Sequence, residues 1–141
     1  LDGSEWAMPA APYAWTVHGL VAHLTLIEEY TLRQIGLTDL PPLPAGEPSS
    51  ARHLDMGGDE LAEIVSGDPS ATVRRWRAAA DRIVAHIQGP TFDPTAPTPL
   101  HTWAFDASTA LVARAFEIWT HADDIRRATG RPLLMTSSRT G

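Results

Sequence analysis

The sequence contains neither cysteine nor lysine among its 141 residues. Without cysteine the chain can form no disulfide and offers no thiolate, so any bound metal must be held by nitrogen and oxygen atoms. All eleven basic residues are arginine, and with seventeen acids they give a net charge of −6. Because the arginines are scattered rather than clustered, the charge pattern argues against a nucleic-acid partner.

Long hydrophobic runs are also missing. No apolar stretch of the sequence approaches the ~20 residues that cross a bilayer, and no basic start followed by an apolar segment marks a signal peptide. We therefore expect a cytoplasmic protein without a membrane partner. The length suits one domain over residues 1–141, with an irregular lead-in over 1–15 and a tail over 131–141. A start at Leu1 rather than at methionine is consistent with a fragment of a longer protein.

Three long segments have the apolar spacing of amphipathic helices, and together they predict an all-α fold. Each follows a residue that can cap a helix. The predicted helices run from Thr16 to about Gln34, from Asp68 to Gln88 and from Asp106 to about Thr129. A short helical turn is predicted over 59–65, whereas the prolines of residues 91–100 predict an irregular segment.

His23 lies in the middle of the apolar arc of the first predicted helix. The opposite face carries Thr25, Glu28 and Glu29, and His18 falls on the polar face, so His23 is predicted to point inward. A lone inward histidine is more often a core residue bonded to a carbonyl or a water than a metal ligand.

A line of charged residues follows one face of the last predicted helix: Arg114, Glu117, His121 and Asp124. Glu117 and His121, four residues apart, could bind one divalent ion, and an inward His23 could supply a third ligand. Three protein ligands leave one position open, as in catalytic zinc sites, and Arg114 or Asp124 would then orient the ligands. The alternative is an ordinary interior network in which Glu117 pairs with Arg114 or His121.

Two segments carry a resemblance to a known family. They are Trp15-Thr16-Val17 with Leu20-Val21-Ala22-His23-Leu24, and Arg114-x-x-Glu117-x-x-x-His121-x-x-Asp124-Ile125 followed by Gly130-Arg131-Pro132. The sequence resembles the mycothiol-dependent maleylpyruvate isomerase family of the DinB-like superfamily. The resemblance implies an up-down four-helix bundle that binds zinc, or another divalent ion such as Ni²⁺, through His23, Glu117 and His121.

The same resemblance implies a reaction class. Family members use mycothiol, a low-molecular-weight thiol of actinobacteria, in isomerase or S-transferase reactions on small electrophilic molecules. A chain without cysteine fits this chemistry, because the sulfur would arrive with the cofactor. Arg52, Arg82 and Arg114 are candidates for binding a substrate carboxylate. Two alternatives stay open: a metal-dependent hydrolase that uses water on the same three ligands, and a non-catalytic module whose metal is structural or absent.

Two parts of the family pattern are not found in this sequence. A first helix normally precedes the segment that corresponds to residues 6–15, and many members continue into a smaller C-terminal domain. We expect only three long helices here: either the sequence is trimmed, or a partner or a second copy supplies the missing packing surface. An exposed apolar strip of Val112, Phe116 and Trp119 would then indicate a homodimer or a missing domain.

Overall fold

The structure, a computed structural model, describes residues 1–12, 14–39, 58–100 and 103–134. Within these ranges the chain forms four helices and two pairs of antiparallel strands. The helices are α1 (Val17–Gln34), α2 (Asp59–Ser66), α3 (Pro69–Ile87) and α4 (Ala107–Ala128), and the strands are β1 (Pro9–Ala10), β2 (Trp15–Thr16), β3 (Pro97–Leu100) and β4 (Trp103–Asp106). The prediction of an all-α, DinB-like bundle with three long helices is confirmed.

The ends of the long helices are set by local chemistry. The side chains of Thr16, Asp68 and Asp106 each accept a hydrogen bond from a backbone N–H in the first turn of the helix that follows. Just past α1 and α4, Gly36 and Gly130 have φ of 70° and 66°. Glycine is favoured there because a side chain would strain this left-handed conformation. All three helix starts are therefore as the sequence predicts.

Helix α1 is the centre of the fold. It packs most extensively against α3 and also contacts α2 and α4. One apolar cluster joins α1 to α2 and a second joins α1 to α3; they comprise Ala22, Leu26 and Leu61, and Leu32, Ala79 and Ile83. Among the described residues, no helix is both long enough and apolar enough to cross a membrane.

The prediction that one face of α1 is polar and solvent-facing is wrong. His18 is 5% exposed, and its Nε2 lies 2.9 Å from the hydroxyl oxygen of Thr72. Thr25 and Glu28 are fully buried, and Glu29 is half-buried. Because α1 is covered by three other helices, a single apolar arc does not mark which of its sides faces water.

Two segments expected to be irregular contain short regular elements. In the lead-in over 1–15, residues Glu5–Ala7 form a 3₁₀ turn, and β1 pairs with β2 directly before α1. The prediction that residues 91–100 are irregular is wrong for the last four, because β3 pairs with β4. A two-stranded ribbon consists of edge strands, where proline is tolerated. Residues 135–141 of the expected tail lie outside the described ranges.

The apolar strip on α4 faces outward. Val112 is 70% and Phe116 is 62% exposed, while Trp119 is half-buried with its ring 5.6 Å from that of Phe116. The described part of the chain thus leaves this side of α4 open, and the homodimer stays a prediction.

Candidate metal centre

Helices α1 and α4 bring His23, Glu117 and His121 together. Glu117 Oε1 lies 3.5 Å from His23 Nε2 and 3.2 Å from His121 Nε2. Each of the three residues offers one ligand atom, and these atoms all lie within 4.8 Å of one another. Both histidines are buried, at 2% and 3% exposure, and Glu117 is half-buried. The three side chains that the sequence analysis selects therefore form one cluster.

Aromatic packing fixes the two imidazole rings. The rings of His23 and His121 are almost perpendicular, with centroids 5.2 Å apart. The indole of Trp15, in β2, packs on the His23 ring at a centroid distance of 4.8 Å. Since both rings are held in the interior, their Nε2 atoms can face the same carboxylate oxygen without the loss of much side-chain freedom on binding.

Asp124 orients His121 from the other side of the ring. Its Oδ2 lies 3.2 Å from His121 Nδ1, while its Oδ1 accepts a hydrogen bond from Arg127 Nη1 at 2.8 Å. A histidine that donates its Nδ1–H to a carboxylate keeps the Nε2 lone pair for a metal. Asp124 is 6% exposed, so His121 is held by a buried carboxylate, and the role of Asp124 in supporting a metal ligand stays a prediction.

The charge balance of the cluster follows from the pKa of His121. Burial by itself lowers this pKa, but the hydrogen bonds to Glu117 and then to Asp124 outweigh burial, and the pKa is raised above its ordinary 6.5. A positive charge between these two carboxylates is thus favoured. In the metal-free cluster the proton on His121 supplies that charge, and a divalent cation can replace it.

The donor set fits a divalent cation. Two imidazole nitrogens and one carboxylate oxygen are ligands that zinc accepts, and two ligands each ~2.1 Å from one ion lie at most about 4.2 Å apart. The contacts of Glu117 to His23 and to His121, at 3.5 and 3.2 Å, satisfy that limit, and the ligand atoms of the two histidines lie within 4.8 Å of each other. His23, Glu117 and His121 could therefore hold a metal ion.

Arg114 has a different partner from those considered in the sequence. Its Nε donates to Glu28 Oε2 at 2.5 Å, and its Nη2 contacts Glu28 Oε1. Burial raises the pKa of the Glu28 carboxyl, and the charge of Arg114 opposes this only in part. The sequence analysis placed Glu28 on the polar face of α1 and therefore missed this pair. An arginine on the buried face of a helix needs a buried carboxylate as its partner, and Glu28 of α1 is that carboxylate.

The other two arginines proposed for a substrate carboxylate lie elsewhere. Arg82, on α3, donates from Nη2 to the backbone carbonyl oxygen of Leu37 and so ties α3 to the chain after α1. Arg52 lies outside the described residues. A role in substrate binding stays a prediction for both.

These elements define a class: a DinB-like helical bundle with two histidines and a glutamate clustered between its central and last helices. Residues 1–126 match the family described as the mycothiol maleylpyruvate isomerase N-terminal domain, and the chain belongs to this family. Comparisons with curated proteins and with solved structures find no match. The domain is therefore related to mycothiol chemistry and carries a candidate metal centre.

Proposed function

We propose that His23, Glu117 and His121 bind a divalent metal ion, zinc first and Ni²⁺ as the alternative, in an enzyme that uses a mycothiol-type thiol. The reaction would be an isomerisation or an S-transfer on a small electrophilic molecule. The observation that carries the proposal is the approach of Glu117 Oε1 to the Nε2 atoms of both buried histidines, at 3.5 and 3.2 Å. Family membership supports the thiol.

The chemistry divides between the bound group and the chain. A divalent cation held by His23, Glu117 and His121 would supply electrostatic stabilisation that lowers the pKa of a thiol bound beside it. The chain contributes the ligands and their orientation, with Asp124 holding His121 and Trp15 packed on His23. These 141 residues contain no cysteine, which is consistent with a nucleophilic sulfur supplied by a small-molecule thiol.

The cellular setting belongs to the same proposal. Low-molecular-weight thiols are kept reduced in the cytoplasm, so we place the domain there, in an actinobacterial host that makes mycothiol. Its partners would be the thiol and the substrate, with neither nucleic acid nor membrane. A homodimer through the strip of Val112, Phe116 and Trp119 completes the proposal.

A two-factor assay tests the function. Zinc-loaded and metal-free protein would be assayed with maleylpyruvate for isomerisation and with monochlorobimane for S-transfer, each with and without mycothiol. We expect turnover above the uncatalysed rate only when metal and thiol are both present. Turnover of ester or amide substrates by zinc-loaded protein without thiol would indicate a hydrolase instead. Equal rates for metal-free and zinc-loaded protein would contradict a catalytic metal.

Asp124→Asn should weaken zinc binding by about 10–100-fold while leaving all three ligands in place. The substitution replaces the Asp124 carboxylate by a neutral amide, so the negative charge beside the Nδ1–H of His121 is lost. Affinity would be measured by competition with a chromophoric chelator. Asp123→Asn is the matched control, since Asp123 is also buried but accepts a hydrogen bond from the backbone N–H of Leu134 at 2.8 Å. Equal dissociation constants for the Asp124→Asn variant and the unsubstituted protein would rule out the orienting role.

A further inference from the structure

A second concave site lies at the other end of the α1–α4 contact. A cavity of about 370 Å³ opens between the C-terminal halves of α1 and α3 and the N-terminal half of α4, with residues 91–98 along one side. None of its described lining residues belongs to the His23, Glu117 and His121 cluster. The volume falls within the ~300–1,000 Å³ typical of small-molecule sites.

The walls of this cavity are largely apolar. Side chains from all three helices and from the segment after α3 contribute, among them Ile35, Ile83, Ile87, Phe92 and Leu111. Ile83 is fully buried in the hydrophobic core behind this wall, with Ile35, Ile87 and Leu111 packed against it. An apolar molecule placed there would exclude water from these surfaces, which favours binding.

Two residues that line this apolar space carry hydrogen-bond donors. Arg114 uses its Nε and Nη2 for Glu28, and within the described part of the chain its Nη1 has no protein partner. Tyr30 accepts a hydrogen bond from Gln34 Nε2 at 2.8 Å, which leaves the proton of its own hydroxyl to donate. Arg114 and Tyr30 both line the cavity. The lining also includes six other polar residues, namely Thr31, Gln34, His86, Thr91, Asp93 and Thr98. Among these polar groups, the donors of Arg114 and Tyr30 favour a ligand with an acceptor oxygen.

The charge of that oxygen is set by Glu28. Glu28 is fully buried and pairs with Arg114, so the guanidinium is already neutralised. A carboxylate ligand would be a second anion beside the same buried cation. It would lose its hydration, and the guanidinium, whose charge Glu28 already balances, could not compensate for that loss. A ketone, ester or amide oxygen can accept from the guanidinium without adding charge.

We propose that this cavity binds a small, neutral, mostly apolar molecule whose carbonyl-type oxygen accepts hydrogen bonds from Arg114 and Tyr30. The site is separate from the metal centre, and binding does not require a metal. The ligand class is set by the apolar walls, the two donors and the neutralised arginine.

The probe for this site is 6-propionyl-2-dimethylaminonaphthalene, a neutral aromatic ketone whose emission shifts to shorter wavelength on leaving water. We expect saturable binding of one probe per chain to metal-free and zinc-loaded protein alike. Ala110→Leu places a larger side chain in the cavity, since Ala110 is 7% exposed and lines it, and should weaken binding by at least about tenfold. Ala113→Leu, the same change at an exposed position of α4, should leave it unchanged.

Two further measurements guard the proposal. Tyr30→Phe removes one donor and should weaken probe binding by about 2- to 10-fold. Naphthalene-2-carboxylate, a similar aromatic body with an anionic oxygen, should bind more weakly than the ketone. Equal probe affinity in the Ala110→Leu and Ala113→Leu variants would overturn the site, and tighter binding of the carboxylate would overturn the ligand class. If circular dichroism shows that Ala110→Leu is unfolded, Tyr30→Phe decides, because an unchanged affinity there refutes the proposal.

Discussion

The His121→Ala variant should purify with little or no zinc, whereas the unsubstituted protein should retain about one equivalent. One of three ligands is lost, and the loss in affinity should exceed the ~10–100-fold expected for a change in an orienting residue. Mass spectrometry of metal content and calorimetric titration of zinc would measure this. His86→Ala is the control, since His86 is half-buried against the ring of Phe92, outside the cluster. Equal metal content in the two variants would contradict the proposed site.

The pH dependence provides a second test of His121, with opposite signs in the two forms. Its pKa is raised in the folded metal-free protein. Its contribution to stability is therefore present below about 6.5, its unfolded value, and is lost as the pH rises through the folded value. Metal binding needs the neutral imidazole, so zinc affinity should fall as the pH falls through the same range. Thermal melts of metal-free and zinc-loaded protein from pH 5 to pH 8, each compared with His121→Ala, should show these opposite trends.

Arg114→Leu should cost about 3–5 kcal/mol of unfolding free energy at neutral pH, because it leaves a buried carboxylate without its cation. The side chains of Arg114 and Glu28 are 11% and 1% exposed. Urea unfolding would measure the loss. Since burial raises the pKa of Glu28 above its ordinary 4.5, its contribution favours the folded state in acid and is lost as the pH rises through the folded value. Because the charge of Arg114 lowers this pKa, its removal leaves the pKa of Glu28 still higher, and the penalty of Arg114→Leu should shrink as the pH is lowered.

The second Arg–Glu pair between helices is the natural control. Arg75 on α3 bonds Glu29 on α1 through two hydrogen bonds of 2.5 and 2.7 Å, but the two side chains are 49% and 30% exposed. Arg75→Leu should cost only about 0–1 kcal/mol, because solvent screens the pair and hydrates the remaining carboxylate.

A paired substitution tests the reason for this difference. Glu28→Met combined with Arg114→Leu replaces the buried pair by apolar groups and should recover most of the lost stability. Similar losses for Arg75→Leu and Arg114→Leu would show that burial does not govern the pair. A double variant as unstable as Arg114→Leu alone would show that the loss comes from packing.

Much of the helical framework could be predicted from the sequence, because helix ends depend on neighbouring residues. Thr16, Asp68 and Asp106 cap their helices through side chains that bond the next turn. Gly36 and Gly130 take the left-handed conformation that follows a helix. Part of the candidate site is local in the same sense, since Glu117 and His121 share a face of α4 through their spacing of four residues.

The partners of the buried polar groups could not be predicted in this way. Glu28 meets Arg114 from 86 positions away, and His18 meets Thr72 from 54 positions away. The hydrophobic periodicity predicted that both Glu28 and His18 face solvent. It shows one apolar face of α1 and carries no information on how many helices pack around it. The β3–β4 ribbon was missed because the prolines were taken to exclude regular structure. The ribbon forms by hydrogen bonding between two segments, and its edge strands tolerate proline.

The sequence by itself determined where α1, α3 and α4 begin and end and which residue types lie along α4, because these depend on interactions within a few residues. Only the tertiary structure decided that His23 meets Glu117 and His121, that Arg114 is neutralised by Glu28, and that a cavity remains beside this pair. The physical reason is that burial and charge pairing depend on how helices pack on one another. Helix packing brings together side chains that are far apart in the sequence, and the hydrophobic periodicity of each helix does not indicate which ones will meet.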